Sequence, residues 1–190
     1  NSQDQKVGEP YAEADGLGGT GAEVHAIPQP LSPFNWKIIV SSGDDYYEAL
    51  VNLWRTHTLN PPNPPSGISG IWGRIASSYQ PVSAATWVRH RRFGVTESQN
   101  MLAREAWSQK VFTRYRQFVM FPFLDRIESA GSGVCVWFLD LRFTTPSLPP
   151  SLGFGVCRDG VAGPWRLGHA TGAFGTDTIS ELLGMKREGD

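Results

Sequence analysis

The sequence contains no long hydrophobic run and has little excess charge of either sign. No stretch of about eighteen apolar residues occurs, so the chain as given is not expected to span a membrane. Its 17 basic and 18 acidic residues nearly cancel, and a net charge of −1 provides no attraction to nucleic acid. The chain begins with Asn1 and has no basic, apolar leader, which suggests a piece of a longer, processed protein.

The common catalytic motifs are also missing. The sequence has no G-x-S-x-G elbow, no phosphate-binding loop and no H-E-x-x-H zinc motif. Residues 16–21, GLGGTG, match G-x-G-x-x-G formally, but neither a buried strand nor a long helix flanks them, so they are interpreted as linker. The histidines are widely spaced: His25, His57, His90 and His169. No cofactor and no metal ligand is therefore predicted in this chain.

Cysteine is scarce as well, with two residues in the chain. Cys135 and Cys157 cannot form a metal site alone, and they lie in strand-like runs on either side of TTPSLPPS. Both are eleven positions from residue 146, so they could face each other across a hairpin. Free buried thiols are the favoured interpretation, and a disulfide stays open if the compartment is oxidising.

The distribution of glycine and proline predicts one domain with two tails. Residues 1–33 are rich in glycine, end in AIPQPLSP and are predicted to form a flexible linker or tail. Residues 34–175 are predicted to form a single α+β domain. Residues 176–190 are predicted to be a C-terminal tail that could contain a short helix.

Within the predicted domain, strands outnumber helices. Residues 34–42 and 46–54 predict a hairpin with a turn at Gly43. Residues 97–118 predict one long helix capped by Thr96, and residues 83–93, which contain little Gly or Pro, leave room for a shorter one. The remaining predicted strands form a meander at residues 120–129, 133–143, 153–160 and 164–171. The expected fold is an antiparallel sheet of about five to six strands packed against a long helix and a shorter one.

Two charges interrupt the apolar strand at residues 133–143. Alternation places Cys135, Trp137, Leu139, Leu141 and Phe143 on one apolar face, which we expect to pack on the helix. The other face carries Asp140 and Arg142, which are expected to pair with each other or with Asp125 and Arg126. An active-site role for this pair is the alternative, although no nucleophile lies nearby in the sequence.

The densest basic cluster is WVRHRR at residues 87–92. Arg89, Arg91 and Arg92 are candidate contacts to anionic lipid headgroups, since each basic residue near such a surface contributes about 1 kcal/mol. A solvated helix face is the simpler interpretation of the same residues.

Three phrases in order resemble a known family. They are SPFNWKIIV followed by a strand containing YY, then YRQFVMFPFLDRIE, then VWFLDLRF followed by FGVCRDG. Together they resemble the C-terminal soluble domain of the YdjM-like family, prokaryotic inner-membrane proteins described as membrane-bound metal-dependent hydrolases. The resemblance covers about residues 31–160 and marks these positions: Pro33, Trp36, Pro122, Asp140, Arg142 and Phe143.

The resemblance implies a role for the domain and a location. The family's proposed metal ligands lie in an N-terminal membrane part that this sequence does not contain, so a divalent metal is expected there and not here. The expected partners are that membrane domain and anionic headgroups, and the expected location is the inner membrane, on a side that the sequence does not fix. The leading hypothesis is a non-catalytic accessory domain with a regulatory or binding role.

Two alternatives stay open at this stage. In the first, the domain completes a hydrolase active site through Asp140, Arg142 and one of the histidines. In the second, it binds a ligand or lipid in a cavity lined by these aromatic residues: Trp36, Trp54, Trp107 and Trp137.

Overall fold

The computed structural model describes residues 21–30, 32–59, 68–130, 132–150, 152–160 and 162–168. Its contacts divide into two compact units, residues 1–90 with 145–148 and residues 91–144 with 149–190. The fold is α+β, as predicted. The predicted bounds at residues 34, 175 and 176 are not decided by this division and stay a prediction.

The first unit is built on a five-stranded sheet. Its strands are β1 (Glu23–Pro28), β2 (Asn35–Ser42), β3 (Asp45–Asn52), β4 (Gln80–Pro81) and β5 (Trp87–Arg91), and helix α1 spans Ile68–Ser78. The predicted hairpin is confirmed: β2 and β3 are antiparallel and register Ser42 with Asp45 across the turn. Gly43 has φ +60°, a value that glycine adopts without steric cost. β4 and β5 both pair with β3.

Two features of this unit differ from the sequence-based expectation. Strand β1 lies within residues 1–33, which were predicted to be a linker, and it pairs antiparallel with β2 from Glu23↔Ser41 to Pro28↔Trp36. The alternation of apolar and polar residues in EVHAIP is short and next to prolines, so it does not indicate a strand by itself. The segment forms a strand because it pairs with the edge of β2. Residues 83–93 hold β5 and not the predicted shorter helix, because Trp87 to Arg91 complete the sheet against β3.

The second unit contains a four-stranded antiparallel meander. Its strands are β6 (Pro122–Ala130), β7 (Gly133–Asp140), β8 (Gly153–Arg158) and β9 (Arg166–Gly168), in the order 6-7-8-9. Helices α2 (Glu97–Ser108) and α3 (Thr113–Phe118) precede the sheet. The predicted meander is confirmed, but the expectation of one sheet for the whole chain is wrong, because two sheets form.

The predicted single helix over residues 97–118 is broken at Gln109, whose backbone is extended (φ −63°, ψ 144°). A 3₁₀ turn at Lys110–Phe112 then leads into α3. At the end of α2, side-chain donors replace the backbone N–H groups that a continuing helix would supply. The side-chain amide of Gln109 donates to the Glu105 carbonyl at 2.9 Å, and Arg116 donates to the carbonyls of Trp107 and Gln109. At the other end the predicted cap is confirmed, with Thr96 and Gln99 forming a reciprocal capping box.

The core of the second unit lies between α2 and one face of the meander. Ala103 and Ala106 of α2 pack with Val136 and Phe138 of β7, together with Phe112 and other apolar residues. The prediction that the Cys135–Trp137–Leu139 face packs on the helix is therefore wrong. Both faces of β7 are apolar over most of its length, so alternation separates the two faces without showing which one meets the helix.

Candidate functional site

Asp140 lies at the end of β7, where most of the family-marker residues meet. Its side chain is 2% exposed, and Pro122 is its register partner on β6. One carboxylate oxygen, Oδ2, accepts from the Met120 backbone at 3.0 Å and from Nη2 of Arg142 at 2.6 Å. The other, Oδ1, accepts from the Arg142 backbone at 3.0 Å. The predicted Asp140–Arg142 pair is thus present.

The sequence predicted that the strand continues through Arg142. Instead, Arg142 lies in a 3₁₀ turn at Leu141–Phe143 that Asp140 caps. Its guanidinium also donates to the Phe118 carbonyl at 2.8 Å and lies 5.1 Å and 4.9 Å from the ring centroids of Phe118 and Phe143. The two rings are parallel, with centroids 5.9 Å apart. This group, called the Asp140 corner below, comprises Phe118, Met120, Pro122, Asp140, Arg142 and Phe143.

The Asp140 corner fastens three segments together. Asp140 binds the chain before β6 through Met120, and Arg142 binds the end of α3 through Phe118. The backbone N–H of Leu141 also donates to the Phe121 carbonyl at 3.1 Å. Each charge of the pair is matched by the other and by main-chain groups, which is what burial requires. The corner's chemistry is that of a structural tie.

Asp125 and Arg126, the other predicted partners, pair elsewhere. The register of β6 against β7 shifts between Leu124 and Arg126, which places an irregularity at Asp125. Arg126 bonds Asp125 and Glu128, and its guanidinium lies 4.8 Å from the ring centroid of Trp137. Burial lowers the pKa of Arg126, but its bonds to Glu128 and Asp125 outweigh this and raise the pKa overall.

The marker residues in the first unit are structural as well. The indole N–H of Trp36 donates to the Pro33 carbonyl at 3.1 Å, which closes the turn before β2. The family-marker positions therefore fall into two places: this turn, and the Asp140 corner.

A buried polar cluster in the first unit was not predicted. Lys37, which is fully buried, pairs with Glu48 Oε1 at 2.9 Å, and His90 Nε2 lies 2.8 Å from Glu48 Oε2. Tyr79 is buried near them and donates to Gln29 Oε1 at 3.2 Å. We call Gln29, Lys37, Glu48, Tyr79 and His90 the Lys37 cluster.

Burial and the neighbouring charges in the Lys37 cluster shift the pKa values of Glu48 and Tyr79. Burial raises the pKa of Glu48, but the hydrogen bond from His90 and the charge and hydrogen bond of Lys37 outweigh it, so the pKa is lowered overall. Burial, and then the charge of Glu48, raises the pKa of Tyr79 to about 12. Glu48 is an ionised bridge between Lys37 and His90, and the buried Lys37 ammonium is out of a substrate's reach.

Sequence reasoning missed this cluster because its members come from β2, β3, β5 and the ends of β1 and α1. One signal was available: a lysine inside the buried run WKIIV calls for a counter-charge on a neighbouring strand. Glu48 is the carboxylate that β3 places two register pairs away, opposite Ile39.

The predicted lipid contacts lie on strand β5 and the turn after it, not on a helix. Arg89 pairs with Asp45 at 2.6 Å and lies 5.6 Å from the centroid of the Tyr47 ring. Arg92 lies 5.9 Å from the Phe93 ring centroid, and Arg91 is half-buried. Their role as headgroup contacts stays a prediction.

The three described histidines belong to the first unit, whereas Asp140 belongs to the second. His25 lies 3.5 Å from Glu23, His90 belongs to the Lys37 cluster, and His57 is exposed. His169 and the GLGGTG motif fall outside the described residues. Over the part of the chain that the structure describes, no three His, Cys, Asp or Glu side chains are grouped to hold a metal ion.

The four tryptophans proposed to line one cavity are in different environments. Trp107 packs in the helix-facing core, whereas Trp137 is on the opposite face of β7 and donates to Glu128 Oε2 at 2.8 Å. Trp54 is largely exposed, and Trp36 closes the turn before β2.

A pocket of about 450 Å³ opens elsewhere in the second unit, beside Trp165. Glu105 accepts from the Trp165 indole at 3.2 Å and pairs with Arg158, whose guanidinium lies 4.8 Å from the Trp165 ring centroid. Lys110 and Val111 complete one side of the pocket. An aromatic wall with several charged groups is suited to a small polar ligand.

Comparison with protein-family models, curated proteins and solved structures finds no match to this chain. The YdjM-like resemblance therefore stays a prediction that depends on the sequence phrases alone. No helix among the described residues is long and apolar enough to cross a membrane.

Proposed function

We propose that this chain is a non-catalytic accessory domain of a membrane-bound metal-dependent hydrolase. The observation that carries the proposal is the Asp140 corner, where both charges of the family-marker pair are bound to each other and to main-chain groups. A catalytic carboxylate needs a lone pair directed at substrate or water, and these contacts direct both Asp140 oxygens into the fold.

In this proposal the domain regulates its membrane-embedded part or presents a surface to a substrate or partner. The marker residues serve to hold that surface in shape, through the turn at Pro33–Trp36 and the Asp140 corner. The metal and its ligands belong to the membrane part. Arg89, Arg91 and Arg92 are proposed contacts to anionic headgroups.

The test is an activity comparison between the 190-residue chain and the full-length protein. Both are assayed with phosphate-ester, carboxylic-ester and peptide substrates, with Mg²⁺, Mn²⁺ or Zn²⁺ added. We expect turnover from the full-length protein and none from the chain. Turnover by the chain that Asp140→Asn abolishes while the variant remains folded by circular dichroism, and that Asp125→Asn leaves unchanged, would establish the hydrolase alternative.

The Trp165 pocket supports a second candidate function, a ligand-binding module. Its volume and its mixture of an indole ring with charged groups suit a small organic anion. Titration of the chain with benzoate and phenyl phosphate, followed by the Trp165 indole N–H signal in NMR, tests it. We expect a saturable shift that Lys110→Ala weakens. Arg114→Ala is the control, since Arg114 is exposed and does not line the pocket, and it should leave the shift unchanged. No shift at millimolar probe would exclude these ligands.

A further inference from the structure

The two cysteines of the chain form one disulfide between neighbouring strands. Cys135 of β7 and Cys157 of β8 are direct register partners with Cα atoms 4.0 Å apart, and they are bonded. The sequence predicted that they could face each other, which is confirmed, but the favoured interpretation of free thiols is wrong. Because the chain has two cysteines, the bond uses all of its thiols.

The surroundings of the bond accommodate it. Gly168 of β9 lies beside the bond, and a Cβ there would lie 3.0 Å from Cys157 Sγ, tighter than ordinary packing allows. Cys135 is buried, whereas Cys157 is half-exposed, which makes Cys157 the more accessible residue of the pair. The bond lies on the side of β7 that carries Trp137, away from the helix-facing core.

We propose that this disulfide forms in the native protein and that the domain lies on the extracytoplasmic side of the inner membrane. Glutathione and thioredoxin keep cytosolic thiols reduced, whereas the periplasm and cell surface are oxidising. A chain whose entire cysteine content is one cross-strand bond matches the second environment. The membrane part of this inference rests on the proposed function; the oxidation does not.

The oxidation step requires a dithiol oxidant in its disulfide form. The Cys157 thiolate attacks one sulfur of that disulfide, which gives a mixed disulfide and releases the oxidant's other sulfur as a thiolate. The Cys135 thiolate then attacks Cys157 Sγ, which forms the intramolecular bond and releases the oxidant's second sulfur. In sum, two protons and two electrons pass from the cysteine pair to the oxidant, which leaves as a dithiol.

The redox state is tested on the full-length protein in cells. The cells are lysed in denaturant with a polyethylene-glycol maleimide, with and without prior reduction, and the adducts on this protein are counted by gel shift. For the Cys135–Cys157 pair we expect no adduct without reduction and two after it. Two adducts without reduction would overturn the proposal. The double variant Cys135→Ser/Cys157→Ser gives the baseline for cysteines outside this chain.

The side of the membrane is read with a reporter. Met101 is 63% exposed on α2, so Met101→Cys in the double-serine background offers an accessible thiol whether or not that variant keeps full stability. We expect an impermeant maleimide to label this thiol in intact cells. Labelling only after lysis would overturn the proposal that the domain lies on the extracytoplasmic side. An oxidised pair in a protein that does not fractionate with membranes would refute the tether and the proposed function but keep the oxidation. Reduced thiols in a membrane-bound protein would refute the oxidation but keep the tether and the proposed function.

Discussion

Buried charge determines the residues on which this fold depends most. Asp140 and Lys37 are both almost fully buried, and each is matched by partners within 3.0 Å. An unpaired charge in such a place costs several kcal/mol, so each of these residues commits its neighbours to a fixed geometry. The sequence reveals the first pair, because Asp140 and Arg142 are two residues apart, and hides the second, because Lys37 and Glu48 are on different strands.

We predict that Asp140→Ala lowers the free energy of unfolding by about 3–5 kcal/mol, because it leaves the Arg142 guanidinium and the Met120 N–H without their acceptor. Asp125→Ala is the matched control, since it removes a carboxylate paired with the more exposed Arg126 and should cost less than about 1 kcal/mol. Urea unfolding of both variants measures the difference. Equal losses would show that the Asp140 corner is no tighter than a surface pair.

A second prediction concerns Glu48 and pH. Its pKa is lower in the folded state than the ordinary value of 4.5, so its contribution to stability is fully present above that pH and is lost as the pH falls through the folded pKa. Glu48→Gln should cost about 3–5 kcal/mol at neutral pH, because Lys37 loses its counter-charge. That cost should shrink as wild-type Glu48 becomes protonated.

The measurement is the free energy of unfolding of wild type and Glu48→Gln from neutral pH down to about pH 3. Glu23→Gln, in the same sheet but exposed, should give a difference near zero throughout. A difference between wild type and Glu48→Gln that stays constant with pH would mean that Glu48 does not titrate with folding.

At the scale of elements, side-chain to main-chain bonds decide where helices and strands stop. Thr96 and Gln99 start α2, and this cap is visible in the sequence because its partners are three residues apart. The break at Gln109 is not visible, because Arg116, which binds the carbonyls of Trp107 and of Gln109 itself, is seven residues further on. Asp140 ends β7 in the same way, by capping the 3₁₀ turn that contains Arg142.

The meander provides a prediction at this scale. Trp137 is the register partner of Gly155, and a Cβ at Gly155 would lie 2.6 Å from Cδ2 of the Trp137 ring. Gly155→Ala should therefore displace the indole from its bond to Glu128 and cost roughly 1–3 kcal/mol. Urea unfolding and the Trp137 indole N–H shift in NMR measure the two effects.

Gly153→Ala is the control for this prediction. It is on the same strand and face as Gly155, but its Cβ would meet Leu139 at 3.5 Å, which is ordinary contact. We expect little change or a gain of up to about 1 kcal/mol, since alanine loses less backbone entropy in a strand. A loss as large as that of Gly155→Ala would attribute the effect to the backbone and not to Trp137.

At the scale of the whole chain, the disulfide acts mainly through the unfolded state. It closes a loop across a sequence separation of 22 residues, and the entropy removed from the unfolded chain is worth roughly 3 kcal/mol. We predict that the free energy of unfolding of Cys135→Ser/Cys157→Ser, measured by urea unfolding, is roughly 3 kcal/mol lower than that of the wild type. Reducing the wild type should reproduce the loss, and adding reductant to the variant should do nothing further.

The sequence by itself determined the class of the fold, the β2–β3 hairpin, the meander, the Thr96 cap and the Asp140–Arg142 pair. All of these depend on turns, caps or contacts between residues that are close in the chain or symmetric about a turn. Tertiary structure alone decided that two sheets form, that Glu23–Pro28 joins the first, and which face of β7 meets α2. It also assembled the Lys37 cluster and the Trp165 pocket from distant segments. The physical reason is that burial and pairing depend on which surfaces meet, and local periodicity carries no information about the partner.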